Sequence, residues 1–433
     1  MHLLNLTIET PGSSFIQGIM AFAFYYPLFM AYLWMIGGLY YYFHWEKKDK
    51  DSHKPPYFND YPAVTVVVPC HNEGLHAYET IDGLLDLDYP NYEIIAVNDG
   101  SKDDTGKILD DIASKHQKVR VIHLATNQGK AMGLKMATLM SQNEFLVCID
   151  GDAILDKDCI TWMIRHFISG PRVGAVTGNP RIRNRSTILG KLQVGEFSSI
   201  IGLIKRAQRI YGRIFTVSGV VAAFRKSALH QVGYWSTNMI TEDIDISWKL
   251  QTNHYEIRYE PNAICWILMP ETLKGLFKQR TRWAQGGAEV LLKYADIFSS
   301  WRKRRMWMVY IELVTSIIWA YVIVAIFALW LLGNFITLPE TLRIRDILPG
   351  WNGVILAFTC LIQFAVSLFI DSRYERNISR YYYWMIWYPM LFWMISTVSS
   401  VIGFPRAVFR NKKNKAIWTS PDRGLAEKTQ NEN

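Results

Sequence analysis

Apolar residues in this chain are gathered into membrane-length runs, and that distribution limits the fold more than any other feature. Residues 15–43 carry no Asp, Glu, Lys or Arg. A helix crossing a bilayer needs about 20 such residues, so this run predicts a transmembrane helix. Tyr25, Tyr26 and Tyr40-Tyr41-Tyr42 suit its interfaces. Further apolar runs cover 307–338, 350–370 and 381–403, the last interrupted by Pro389. Between them lies a stretch of ordinary charge density, long enough to bury its own core. The predicted organisation is an N-terminal segment and transmembrane helix over 1–44, a linker over 45–62 and a soluble domain over 63–275. Interface helices follow over 276–306, transmembrane helices over 307–405 and a basic tail over 406–433, its last residues disordered.

The formal net charge is +9, and the basic residues sit beside the apolar runs. Lys47, Lys48 and Lys50 follow the first, Arg302 to Arg305 precede the second, and Arg406 to Lys415 follow the last. That placement points to positive-inside topology and contact with anionic lipid. No fold or motif supports nucleic-acid binding. The linker charge places the soluble domain in the cytosol. Three later spans would then put the basic tail outside, against the charge rule, and a cytosolic tail is expected instead. Residues 1–13 lack a basic n-region, so no cleaved signal peptide is expected. The five cysteines form no CxxC pair, which argues against a disulfide framework or structural zinc and suits a reducing compartment.

From Ala63 the pattern changes. Val64 to Val68 is a continuous β-branched-rich run, as a buried parallel strand requires. Strands are predicted again at 92–97, 119–124 and 145–149, with helices at 75–87, 104–115 and 129–141. This alternation predicts an α/β domain with a parallel-rich sheet and helices on both faces. Ligands in such sheets lie beyond the carboxyl ends of the strands.

Two motifs fall at those ends. Asp150-Gly151-Asp152 follows a strand, and its one-residue spacing aims both carboxylates at one face. Two close carboxylates repel unless a cation lies between them. A divalent cation, Mg²⁺ or Mn²⁺, would also bridge diphosphate oxygens. A solvated Asp-Gly-Asp turn is the alternative. Asn98-Asp99-Gly100-Ser101 ends an earlier strand, where Asp99 could bind a ribose hydroxyl or a base N–H, or the four residues could simply turn. Glu73 closes the first strand near the same pocket, and Lys130 opens a helix where it could meet phosphate.

Thr241-Glu242-Asp243 reads either as a helix cap with acids in the first turn or as a site for a general base, Asp243 beside Glu242. Gln279, Arg282 and Trp283 are spaced to share one helix face. Arg282 can pair with phosphate, and Trp283 offers a flat face to a sugar ring. Membrane-surface anchoring is the alternative for that helix. Arg181, Arg183 and Arg185 read as a solvated face, and the histidines as structural. Together the four motifs point to transfer of a sugar from a nucleotide donor.

With the motifs placed, the chain resembles the processive glycosyltransferases of family 2, which include cellulose, chitin and hyaluronan synthases. Within that family it is most similar to the bacterial catalytic subunits that make poly-β-1,6-N-acetyl-D-glucosamine. The resembling stretches include Val173-Gly-Ala-Val-Thr-Gly-Asn-Pro-Arg-Ile-Arg183, Met239-Ile-Thr-Glu-Asp-Ile-Asp-Ile-Ser-Trp-Lys249 and Trp418-Thr-Ser-Pro-Asp-Arg-Gly424. The resemblance implies a GT-A fold. It places Glu73, Asp99 and Asp150 on the uridine diphosphate moiety, Asp152 on the metal and Asp243 as the base. Gln279, Arg282 and Trp283 then lie at the acceptor and diphosphate. It further implies export of the chain through the inner membrane into biofilm matrix, and in some bacteria a small membrane subunit and activation by cyclic di-GMP. Other family 2 synthases, a single-sugar transferase acting on a lipid carrier, and a non-catalytic scaffold stand as the alternative readings.

Overall fold

The computed structural model describes residues 13–48, 54–339, 342, 344, 350–411 and 414–417. The Trp418–Gly424 motif and the end of the basic tail lie outside them.

Helix α1 (Ser13–Tyr41) is apolar on all sides and runs through a π-helical turn, Tyr42–Glu46, to the soluble domain. The domain opens with β1 (Val64–Cys70), α2 (Leu75–Leu85), β2 (Tyr92–Asp99), α3 (Thr105–Lys115), β3 (Val119–Leu124), α4 (Lys130–Met140) and β4 (Phe145–Ile149). These four strands pair in parallel in the order β3-β2-β1-β4. Every residue of β1 is buried, as a strand covered on both faces must be. Val66 packs with Ile81, Leu109 and Ile160 on one face, and Val67 with Leu134 and Ile246 on the other.

The second half is mixed. It comprises β5 (Ile154–Leu155), α5 (Cys159–Ile168), β6 (Val173–Ile182), α6 (Ile188–Phe197), α7 (Ile204–Tyr211), β7 (Val221–Arg225), α8 (Lys226–Gln231), α9 (Glu242–Thr252) and β8 (Glu256–Ile267). The full order is β3-β2-β1-β4-β7-β6-β8-β5, with β7 antiparallel to β4 and β6. The chain leaves β6 through α6 and α7 and re-enters from the end where β6 stopped, which reverses β7.

After β8 come α10 (Leu273–Lys293), α11 (Trp307–Gly333), α12 (Gly350–Asp371) and α13 (Tyr388–Phe409). Among the described residues four helical stretches are long and apolar enough to cross a membrane: Ile16–Glu46, Trp301–Gly333, Trp351–Asp371 and Leu391–Phe409. Pro389 does not interrupt the last apolar run. A 3₁₀ segment, Ile378–Trp387, ends there, and Pro389 opens α13 in the first turn, where its missing N–H has no partner to lose.

Both ends of α13 lie against the soluble domain's layer. Tyr388 donates to Glu196 on α6 at 3.3 Å, and Arg410, just past the helix, bonds the Asn238 carbonyl at 2.6 Å and Glu289 at 3.1 Å. Between these points α13 follows α10, with Ser399 beside Thr281 and Gly403 beside Ala284. A Cβ on Gly403 would come within 2.7 Å of the Gln285 nitrogen, so glycine is what permits this approach.

An ionic seam joins the domain to its membrane helices. Arg206 on α7 is fully buried and pairs with Glu46 at 2.7 Å and with Asp371 at 3.0 Å. Arg181 meets Asp371 at 2.9 Å, Arg183 meets Glu79 at 2.6 Å, and Arg185 meets Glu375. The reading of Arg181 and Arg185 as a solvated face is therefore corrected, whereas Arg183 pairs with Glu79 of α2 at the exposed surface. β6 ends directly under α12, whose terminus supplies acids that a sequence pattern of alternate arginines does not reveal.

Candidate active site

A single cavity of about 860 Å³ opens at the carboxyl ends of β1 and β4 and reaches the membrane helices α11 and α13. Nine of the ten predicted site residues line it, namely Glu73, Lys130, Asp150, Asp152, Glu242, Asp243, Gln279, Arg282 and Trp283.

Asp99 stands apart. It is fully buried at the end of β2, and its two oxygens accept the backbone N–H groups of Gln128 at 2.7 Å and Gly129 at 2.8 Å. It therefore braces the turn that launches α4. Gly129 has φ +88°, a left-handed conformation that favours glycine, and a Cβ there would strike the Ala416 carbonyl at 2.0 Å. Asn98 closes its own turn by accepting Ser101 N–H at 3.1 Å. A second cavity, lined by His71, Asn72, Gly100, Ser101 and Asn127, lies beside this turn.

Lys130, first residue of α4, donates to Asp150 at 2.5 Å and to the Gly219 carbonyl at 2.9 Å, and stands 3.4 Å from Glu242. Burial alone would lower its pKa, but Asp150 and Glu242 outweigh that and hold it above the usual lysine range. Gly151 lets the loop press on Glu73, since a Cβ there would come within 3.0 Å of that side chain. Asp152 is buried at the floor of the same cavity. Among the described residues no three His, Cys, Asp or Glu side chains cluster as metal ligands. One or two carboxylates are nevertheless the usual protein share of a Mg²⁺ site, and Asp152 lines the cavity beside Asp150, whose own oxygen is engaged by Lys130.

Asp243 is the second residue of α9 and is held there by Ile244 N–H at 2.9 Å. Burial, and then the neighbouring Glu242 carboxylate, push its pKa up to about 6. Thr241 occupies the cap position without a capping side-chain bond, and among the described residues its buried hydroxyl has no hydrogen-bond partner. The helix start is thus built for the acids rather than for the cap. Gly286 of α10 lies directly on Thr241, where a Cβ would be 2.1 Å from the hydroxyl oxygen.

Gln279, Arg282 and Trp283 face the cavity from α10, and the Gln279 carbonyl oxygen is buried without a partner. Arg280 points the other way, pairing with buried Glu196 at 2.5 Å and lying 4.3 Å from the centre of the Trp283 ring. One face of Trp283 is therefore backed by a fixed cation. Sequence reasoning passed over Gly219, Gly286, Lys205, Gln208 and Glu312. The Gly286-Gly287 pair inside a helix was the available signal, because each mid-helix glycine costs roughly 1 kcal/mol and calls for a packing reason.

Residues 62–286 match the family model described as glycosyltransferase like family 2. The chain is 41% identical over 414 residues to a poly-beta-1,6-N-acetyl-D-glucosamine synthase of Staphylococcus epidermidis, covering 94% of this chain and 98% of that one. A Staphylococcus aureus protein of the same name, from strain COL, is 41% identical over 406 residues, covering 93% and 98%. The mannosyltransferase PcManGT from Pyrobaculum calidifontis, solved in complex with GDP-Man and Mn²⁺, superposes with a TM-score of 0.57 at 19% identity, covering 92% of this chain and 99% of that one. That likeness shows the GT-A-type fold. With its sheet, its apolar helices and its full-length relatives, this is a membrane-associated glycosyltransferase, and the chain belongs to glycosyltransferase family 2.

Proposed function

We propose that this chain is a processive inverting glycosyltransferase that polymerises N-acetylglucosamine from UDP-GlcNAc into β-1,6-linked poly-GlcNAc. The growing polysaccharide passes across the bacterial inner membrane into biofilm matrix. One observation carries this reading: a continuous cavity runs from Asp150 and Asp152, past Asp243 and Trp283, to Ser316 on α11 and Ser400 on α13. A lipid-carried acceptor would also need an opening toward the membrane, and the 41% identity over 94% of the chain to a poly-beta-1,6-N-acetyl-D-glucosamine synthase favours the exported polymer.

Each residue then has work suited to its position. Asp243 takes the proton from the attacking acceptor hydroxyl as the bond to the anomeric carbon forms, and one base suffices for inversion. Glu242 and Asp150 hold Lys130 charged toward the diphosphate, where Arg282 also pairs with phosphate oxygens. Glu73 and Asp99 shape the nucleotide side. Gln279 and Trp283 receive the acceptor sugar. A divalent cation, Mg²⁺ or Mn²⁺, bound at Asp152 would neutralise the charge growing on the departing uridine diphosphate. The family resemblance alone carries the proposals of a small membrane subunit and of cyclic di-GMP activation.

The proposal places the catalytic domain in the cytosol with three crossings, α1, α11 and α12. Glu46 at the end of α1 and Asp371 at the end of α12 meet on Arg206, and Trp307 at the start of α11 bonds the Ile297 carbonyl at 3.1 Å, so these three ends face the domain. Helix α13 then lies along α10 instead of crossing, which returns the basic residues 406–415 to the side of Lys47 and Arg302. This parity satisfies the charge rule that four crossings violate.

The deciding experiment incubates membranes bearing the protein with a panel of labelled nucleotide sugars and analyses product size and linkage. A long polymer with 1→6 linkages made from UDP-GlcNAc alone is expected. A lipid-linked monosaccharide, or a polymer of another sugar, would overturn the reading.

A further inference from the structure

The cavity has a wall that neither the donor site nor the motif helix accounts for. It is formed by α7 and the adjoining face of α11. Between α6 and α7 the helix contains a π-helical turn, Ser198–Leu203. Such insertions re-aim the residues that follow and recur at functional sites. Here the residues that follow are Lys205 and Gln208, three apart on one face of α7, and both line the cavity.

Lys205 is buried and donates to the hydroxyls of Thr177 at 2.9 Å and Ser218 at 2.8 Å. An ammonium has three donors, so one remains after these two bonds. Among the described residues it forms no ion pair, which is unusual for a buried lysine. Burial holds its pKa down to about 7, against the pull of Asp243. Ser218 adjoins Gly219, and a Cβ on Gly219 would come within 3.0 Å of the Asp243 carboxylate. Lys205 is therefore tied to the turn that underlies the base.

Gln208 spans the next step. Its carbonyl oxygen accepts Phe215 N–H at 2.9 Å, and its side chain lies beside the carboxyl group of Glu312. Glu312 lies on α11 within an apolar stretch that qualifies as a membrane span, and it faces the cavity. An ionisable side chain at such a place is expensive unless it serves a pathway. Around the trio the wall is apolar, with Ile204, Leu313 and Phe404.

We propose that Lys205, Gln208 and Glu312 form the acceptor subsite next to Asp243, holding the end of the growing chain through its hydroxyl and acetamide groups. A phosphate ligand would be met by cations alone, whereas this wall offers a donor at Lys205 and an acceptor at Glu312. Apolar surface between them suits the faces of sugar rings. The ligand class is thus a neutral, amide-bearing oligosaccharide. Lys205 bonds the acceptor oxygens nearest the base, and Glu312 guides the preceding sugar toward the membrane helices. The inference rests on the polymerase reading above.

The test uses the full chain in lipid nanodiscs, with UDP-GlcNAc and a short β-1,6-linked GlcNAc oligosaccharide as the acceptor probe. Lys205→Met and Glu312→Gln are measured for KM toward each substrate and for product length. Loss of a charged hydrogen bond should raise the acceptor KM about tenfold or more. The donor KM should stay unchanged and the polymer should shorten. Unchanged acceptor KM and product length would overturn the subsite, as would a drop in kcat alone accompanied by a lower thermal midpoint. If Lys205→Met does not fold, Glu312→Gln, which replaces only an oxygen, decides by the same criteria. Failure of the wild-type protein to make polymer would instead sink the polymerase reading itself.

Discussion

The two sides of the cavity hold charge in opposite ways. On the side proposed for the donor, Asp150 is locked to Lys130 at 2.5 Å, and behind it, outside the cavity, Asp99 is saturated by two backbone N–H groups. On the side proposed for the acceptor, Asp243 is half-buried beside another carboxylate, and among the described residues the Gln279 oxygen has no partner and Lys205 has only hydroxyls. A nucleotide diphosphate brings large fixed charge, so its site is best built from charges already braced against each other. A sugar brings weak dipoles and a proton to be lost, so its site keeps polar groups in low dielectric with capacity in hand. If this contrast is right, damage to the donor side should affect diphosphate and metal binding, and damage to the acceptor side should spare them.

The largest effect is expected on the donor side. Asp152→Asn should remove most transfer while the protein still folds and inserts, and excess chelator should do the same to the wild type, with activity restored by Mg²⁺ or Mn²⁺. Full turnover in chelator would break the contrast at its donor end. Asp243→Asn should come next. A positioned base contributes about 10² to 10⁴ in rate, so transfer should fall by at least about a hundredfold. UDP-GlcNAc affinity, read by calorimetry or by competition with uridine diphosphate, should stay near wild type. The alternative, in which Asp243 only supplies charge to the first turn of the helix, predicts survival of activity, because that interaction is worth about 0.3–1 kcal/mol.

A smaller, graded effect follows from the pKa of Asp243, raised to about 6 by burial and then by Glu242. The base must be ionised to accept a proton, so transfer should rise with pH up to about 6 and level off above it. One unit below, about a tenth of the base form remains, and the rate should be roughly tenfold lower. Stability runs the other way. A carboxyl whose folded pKa exceeds its unfolded value favours the folded state in acid, and this contribution is lost as pH rises through about 6. A pH–rate profile flat from 5 to 8, with the enzyme saturated, would remove Asp243 from the base role.

The strand and helix alternation of residues 64–149 was legible because each element is decided by local pattern: β1 is rich in β-branched residues, β2 and β4 are mostly apolar, and β3 mixes apolar with polar residues. That the acids Asp150, Asp152, Glu242 and Asp243 would share one cavity was legible because short motifs at strand ends and helix starts keep their spacing whatever surrounds them. What escaped depends on contacts across long sequence separations. Nothing near Arg181 announces Asp371, 190 residues away. Nothing near Lys205 announces Ser218 and Thr177. The mixed half of the sheet escaped because β7 is reversed by where α7 ends, not by its own residues. Helix α13 has the composition of a span, and its two anchored ends, at Glu196 and Glu289, are not announced by it.

The smallest effect separates packing from recognition at Trp283. Arg280 lies 4.3 Å from the ring centre and is itself fixed by Glu196, so one face of the indole is committed to the interior while the side chain also lines the cavity. Aromatic stacking is worth about 0.5–1.5 kcal/mol beyond area burial, which predicts a loss of several-fold, not of orders of magnitude. Trp283→Ala should therefore shorten the polymer and weaken acceptor use while leaving donor affinity near wild type. Trp283→Phe keeps a stacking face and should recover most of the length. A helix that only anchors at the membrane surface predicts a different pair of outcomes. Both variants would then make normal polymer at a normal rate, and both would lose thermal stability in proportion to the area removed.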